Sequence, residues 1–252
     1  MMNFDLPKIP ARPEKSREYG LTMVMDKGLS LQETANMIDA GGEYIDLVKL
    51  GFGTSLITKN LKEKVKLYQQ AGIKVYVGGT CFEAFIVRGM FDDYRRYVSG
   101  LGLDTAEVSD GTMEMKHDDK LGYIEALSKD FTVLSEVGSK IEGREITNAQ
   151  WVGMMDSELK AGAWKVIAEA RESGNIGIYQ KNGSVNLELV EDIKNAIKLE
   201  SILWEAPQKS QQTWFIKNFG ANVNLGNIAT GEVISLETLR LGLRGDTLLQ
   251  FI

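Results

Sequence analysis

The stretch Tyr44-Ile45-Asp46-Leu47-Val48-Lys49-Leu50, followed at once by Gly51-Phe52-Gly53-Thr54-Ser55, reads as a short strand that ends in a lysine and a glycine-rich turn. On either side lie segments with the helical period: Leu31–Ala40, apolar at 31, 35, 38 and 40, and Asn60–Gln70, which puts Leu61, Val65 and Tyr68 on one face. This alternation recurs along the chain. Further strand-like runs are Leu21–Asp26, Lys74–Gly78, Thr105–Ser109, Thr132–Val137, Lys165–Ala170, Ser201–Ala206 and Asn222–Leu225, making eight in all. Their starts are roughly 20 to 36 residues apart, the length of a βα unit with its return loop. Helical segments Phe82–Leu101, Asp118–Lys129, Asn148–Ala161, Leu187–Ala196, Lys209–Phe219 and Leu236–Leu243 fill the gaps, and Ala71-Gly72, Gly100-Leu101-Gly102, Ala161-Gly162-Ala163 and Phe219-Gly220 mark their stops.

Eight alternating units predict an α/β protein with a parallel sheet and helices outside it. An open doubly wound sheet commonly uses five or six strands. Eight at regular spacing favour closure into a single-domain (β/α)₈ TIM barrel, which typically occupies ~250 residues; this chain has 252. Three of the four prolines fall within the first 13 residues, so residues 1–16 are expected to form a loosely held N-terminal arm and residues 17–252 the barrel.

The composition narrows the chemistry. A net charge of −6 argues against general affinity for nucleic acid or an anionic membrane, and no window approaches the ~18 apolar residues of a membrane span. With one cysteine, Cys81, no intrachain disulfide is possible, and a cytoplasmic location is expected. With one histidine, His117, in a very polar stretch, neither a His/Cys zinc site nor a Ser–His–Asp or Cys–His triad is in prospect. A metal here would be held by oxygen, which favours Mg²⁺ or Mn²⁺.

In a barrel the active site lies at the C-terminal ends of the strands, and here those ends are polar. Asp26, Lys49, Glu107, Glu136, Glu169 and Glu205 all sit in or beside apolar runs, where a charge is costly unless paired or bound. They either form salt bridges filling the top of the barrel or build a site. The turns Gly51–Ser55 and Gly78-Gly79-Thr80 offer backbone N–H groups to an anion, though tight βα connections use glycine as well. Arg171-Glu172-Ser173-Gly174 would clamp a phosphate or sulfonate, or form a loop ion pair. Lys140, three residues beyond a strand in a Gly-Ser setting, suits a proton donor, or is a solvated loop lysine.

At these strand ends the chain resembles the phosphosulfolactate synthase family, whose archaeal members open coenzyme M biosynthesis. The matching blocks are Asp26-Lys27-Gly28, Tyr44 to Ser55, Gly78-Gly79-Thr80, Glu107 to Gly111, Ser135 to Lys140, Glu169 to Gly174, Trp204 to Gln212, Val223-Asn224-Leu225 and Ser235 to Thr247, in order over residues from about 18 to 248. The resemblance implies a (β/α)₈ barrel, a lyase reaction adding sulfite to phosphoenolpyruvate, and Mg²⁺. By position Lys140 matches the lysine proposed there as general acid. The resemblance further implies Lys49 and Glu136 in the catalytic machinery, Asp26, Glu107 and Glu169 near the metal, and Arg171, Ser173, Gly174, Gly79 and Asn224 against the substrates. A homo-oligomer is expected. Two other readings stay open: an enolate-forming barrel lyase such as a Schiff-base aldolase, for which Lys49 is the attractive lysine, and a non-catalytic barrel binding an anionic metabolite.

Overall fold

The computed structural model describes residues 3–139, 146–171 and 173–252, and in them eight parallel strands form one sheet in the order β3-β2-β1-β8-β7-β6-β5-β4. The strands are β1 (Thr22–Asp26), β2 (Leu47–Leu50), β3 (Lys74–Val77), β4 (Thr105–Val108), β5 (Thr132–Val137), β6 (Ala163–Ala168), β7 (Ile202–Glu205) and β8 (Leu225–Ala229). β1 pairs with both β2 and β8, so the sheet curls until its ends meet, and β3 lies beside β4. Across that seam the N–H of Gly79 donates to Glu107 Oε1 at 2.5 Å. The expected TIM barrel is the fold, with helices α1 (Leu31–Gly41), α2 (Leu61–Gln70), α3 (Gly79–Ile86), α4 (Phe91–Gly100), α5 (His117–Leu127), α6 (Asn148–Lys160), α7 (Leu187–Ala196), α8 (Lys209–Phe219) and α9 (Val233–Arg240) around it.

Local chemistry explains the boundaries. α1 and α6 open with reciprocal capping boxes, Ser30 with Glu33 and Thr147 with Gln150. The single helix expected over 82–101 is two, α3 and α4, parted where Gly89 takes a left-handed φ of 67°. The eighth strand begins three residues later than expected, at Leu225, and the side chains of Asn222 and Asn224 before it bond Arg12 and Ala11, and Leu21, Glu200 and Ile202, respectively.

Side chains alternate along each strand between two cores. The larger, between sheet and helices, takes Val24, Val48, Val75, Val108, Val133 and their outer partners. It also holds Cys81, fully buried, whose thiol burial pushes up in pKa. The smaller fills the barrel interior with Leu21, Met23, Leu47, Tyr76, Leu134, Ile167 and Leu203. One pleat further along the same faces come Met25, Lys49, Glu136, Glu169 and Glu205, so the interior turns from apolar to charged within two residues of each strand end.

The base of the barrel is closed by polar staples. Buried Arg240 donates to the carbonyls of Ala221 and Val223 at 2.7 Å each and of Leu21 at 3.0 Å, tying β1 to the entry of β8. The N-terminal arm is anchored here too: Arg12 reaches Glu237 at 2.9 Å and the carbonyl of Gly20 at 2.9 Å, and Lys15 donates to the carbonyls of Gly42 and Ala71. Among the described residues, no helix is long and apolar enough to cross a membrane.

Candidate active site

The mouth of the barrel encloses a cavity of about 350 Å³, and its floor is an ion cluster centred on Lys49. The ammonium sits 3.1 Å from Glu136 Oε2, 3.1 Å from Glu205 Oε1 and 3.3 Å from Glu107 Oε2. The ammonium donates hydrogen bonds to Glu136 and Glu205 and forms an ion pair with Glu107. Burial alone would lower the pKa of Lys49, but Glu107, Glu205 and Glu136 outweigh it and hold the group charged, well above the ordinary lysine value.

The second oxygen of each carboxylate is also engaged, by a donor from a loop. Glu107 takes the N–H of Gly79, Glu205 takes the N–H of Ala170 at 2.8 Å, and Glu136 takes the hydroxyl of Ser109 at 3.1 Å. Gly79 is required there: a Cβ on it would lie 2.4 Å from Ser109 Cβ and 2.6 Å from Glu107 Oε1. The single Ser109 hydroxyl proton is shared between Glu136 and Glu83 Oε1, the latter nearer at 2.7 Å, and Glu83 accepts from Thr112, which links the cluster to the rim.

Glu136, Glu169 and Glu205, on adjacent strands, each offer an oxygen, and these three atoms lie within 4.8 Å of one another. Four glutamates line the cavity with Lys49 and Arg171 as its cations among the described residues, so the wall is acidic before any ligand enters. Carboxylate oxygens without a thiolate or imidazole suit a hard divalent cation. Met25 and Phe52 supply the apolar wall; Phe52 is 54% exposed and held at a left-handed φ of 55°.

A sequence profile of the (2R)-phospho-3-sulfolactate synthase (ComA) family matches residues 10–246. The chain belongs to that family. A phosphosulfolactate synthase of Bacillus subtilis is 41% identical over 251 residues, spanning 98% of this chain and 99% of that one. The phosphosulfolactate synthase of Methanocaldococcus jannaschii is 43% identical over 236 residues, 91% and 94% of the two chains. Among solved structures, 3-hexulose-6-phosphate synthase from Salmonella typhimurium overlays with a TM-score of 0.55, covering 89% of this chain and all of that one at 13% identity, a likeness of fold.

Against the family expectations the geometry sorts the site residues. Lys49, Gly79, Glu107, Glu136, Glu169, Arg171 and Ser173 all line the one cavity. Asp26, expected near the metal, does not line it. It is one residue out of phase with Met25, so it points outward, where it pairs with Lys64 at 2.6 Å, accepts from Tyr68 at 2.8 Å and takes the N–H groups of Gly28 and Leu29. Asn224, expected against the substrates, does not line the cavity either. It precedes β8 at the base of the barrel, where its side chain accepts from the N–H of Leu21 and donates to the carbonyls of Glu200 and Ile202. Gly174 stands behind the rim rather than on the cavity wall: at a φ of 65°, its carbonyl accepts from Gln211 and so pins the loop that carries Arg171 and Ser173. The N–H of Gly79 is spent on Glu107, so this turn orders a carboxylate. Lys140 lies outside the described residues; β5 leads toward it through Gly138 and Ser139.

Glu205 and Asn227 are among the wall residues outside the expected set. Glu205 was visible as a charge in an apolar run, and its phase, two residues beyond Leu203, marks it as interior. Asn227 is placed on the wall by an irregularity in β8 that alternation does not reveal.

Proposed function

We propose that this chain catalyses the Mg²⁺-dependent addition of sulfite to phosphoenolpyruvate, giving (2R)-2-phospho-3-sulfolactate. One observation carries the reading: the oxygen cluster of Glu136, Glu169 and Glu205 beside the charged Lys49, in a chain that aligns along its length with enzymes of that name. Both substrates are anions and the cavity wall is acidic, so their entry calls for added positive charge. Glu136, Glu169 and Glu205 would hold Mg²⁺, which supplies Lewis-acid stabilisation of the charge that develops on the substrate carboxylate.

The chain's own groups do the rest. Lys49 fixes Glu136 and Glu205 in place, and the Arg171 guanidinium and Ser173 hydroxyl at the rim bind phosphate or sulfite oxygens. The sulfur lone pair of sulfite forms the new bond to the methylene carbon. The π pair of the enol moves onto C2 and into the carboxylate as an enediolate, and a proton must then reach C2. Lys140 is assigned that proton transfer from the family resemblance; it passes an N–H proton to C2 and regains one from water. A Schiff-base lyase needs a neutral lysine nucleophile, and the charged state of Lys49 speaks against it. A reducing cytoplasm suits the lone buried Cys81. The test is direct: phosphorus NMR of protein, phosphoenolpyruvate, sulfite and Mg²⁺ is expected to show a new phosphate monoester, and no product above a protein-free control overturns the reading.

A further inference from the structure

The eighth strand carries an irregularity with a purpose. Along β1 the partners of β8 jump from Thr22↔Leu225 to Val24↔Ile228, so β8 holds one extra residue at this point. Asn227 sits in that bulge at a left-handed φ of 55°, a conformation uncommon for residues other than glycine but one that asparagine tolerates. The distortion brings Asn227 onto the cavity wall beside Glu205, whose partner across the β7–β8 ladder is Gly226.

Its carboxamide is oriented unambiguously. Nδ2 donates to the carbonyl of Ala170 at 3.3 Å, and only the amino end of an amide can do so, which turns Oδ1 the other way. The residue is 8% exposed, and Oδ1 is buried without a hydrogen-bond partner. An unpaired buried carbonyl is costly unless something occupies it. Ala170 ties the neighbourhood together: it follows Glu169 directly, gives its N–H to Glu205 Oε2 and takes the amide of Asn227 on its carbonyl. Asn227 Oδ1 is thus a neutral oxygen on a wall that carries four carboxylates, where a further acceptor gains nothing from them and a cation satisfies them all.

We propose that Asn227 Oδ1 is a ligand of the divalent cation held by Glu136, Glu169 and Glu205. The inference rests on the metal-assisted reading above and adds to it a fourth, uncharged donor set by the bulge. Mixed carboxylate and amide oxygens are an ordinary donor set for hard cations.

Asn227→Gly tests this cleanly, because glycine adopts the left-handed backbone without strain and only the side chain is lost. Mn²⁺ titration of the metal-free protein, followed by the EPR signal of free Mn²⁺, is expected to show one site in the wild type. In the glycine variant it should be weakened by at least about tenfold, with metal-free thermal stability equal or higher. Mn²⁺ affinity equal to wild type would overturn the role of Asn227. In that event, loss of Mn²⁺ binding in Glu205→Gln leaves the metal reading standing. Absence of Mn²⁺ binding in the wild type overturns both.

Discussion

At the scale of the residue, Lys49 decides what chemistry the mouth can do. Its ammonium pairs with carboxylates from three other strands, and removing it strands them in a buried site; Lys49→Met is expected to cost roughly 3–5 kcal/mol of stability, measured by urea unfolding. Its folded pKa lies above the unfolded value of about 10.4. The stabilisation is therefore complete below that value and lost only as pH rises through the higher folded pKa. The lysine itself thus adds no slope to wild-type stability between about pH 7 and about pH 9, where unfolding curves are readily compared. The same charge makes it a poor nucleophile: borohydride trapping with pyruvate at neutral pH should leave the Lys49 peptide unmodified, and a mass increase there would restore the Schiff-base alternative. For Lys140→Ala the proton-transfer role predicts a fall in kcat of roughly 10²–10⁴ with little change in the KM for phosphoenolpyruvate. A similar loss confined to KM would make that lysine a binding group instead.

At the scale of the element, what matters is which face of a strand a charge occupies. The eight-fold alternation of strand and helix was legible because each βα unit has its own periodicity and stop signals, and the charged strand ends were legible because Lys and Glu are rare in apolar runs. Asp26 shows where this fell short. It lies at the end of its strand as Glu107 and Glu136 lie one residue before the ends of theirs, but the pleat turns it toward α2, where it meets Lys64 and Tyr68. Counting in twos from Met23 and Met25 separates the cases; position at a strand end alone does not. Asn227 was beyond this device, since a bulge changes the phase mid-strand and leaves no mark in composition, and Asn224 precedes the strand altogether. Close approach between elements gives a sharper prediction. Gly79→Ala pushes a methyl group into Ser109 and Glu107 across the β3–β4 seam, and should destabilise the fold by roughly 1–3 kcal/mol by overpacking. A variant as stable as wild type in urea would show that the seam can open to admit it.

At the scale of the molecule, the barrel has two ends of opposite design: a base stapled by the Arg240 guanidinium to the carbonyls of Ala221, Val223 and Leu21, and a mouth lined by four glutamates. A ligand that binds only the folded state raises its stability by mass action, about 2.7 kcal/mol at a hundredfold excess over Kd. Millimolar Mg²⁺ is accordingly expected to raise Tm and a chelator to reverse it, read by differential scanning calorimetry; a Tm indifferent to both would argue against a cation in the mouth. The base answers to a different perturbation. Arg240→Met removes the donors that hold Leu21, Ala221 and Val223 and should destabilise the protein by several kcal/mol while leaving Mn²⁺ affinity per folded molecule intact. That staple has a consequence for biosynthesis. The contacts that complete the ring join the first strand to the last, so a nascent chain still lacking β8 and α9 presents β1 as an unpaired edge to every other chain emerging nearby. Ribosome-bound or truncated chains ending at Phe219 should be digested rapidly by protease and captured by chaperones, and protection should arrive only with the final helix.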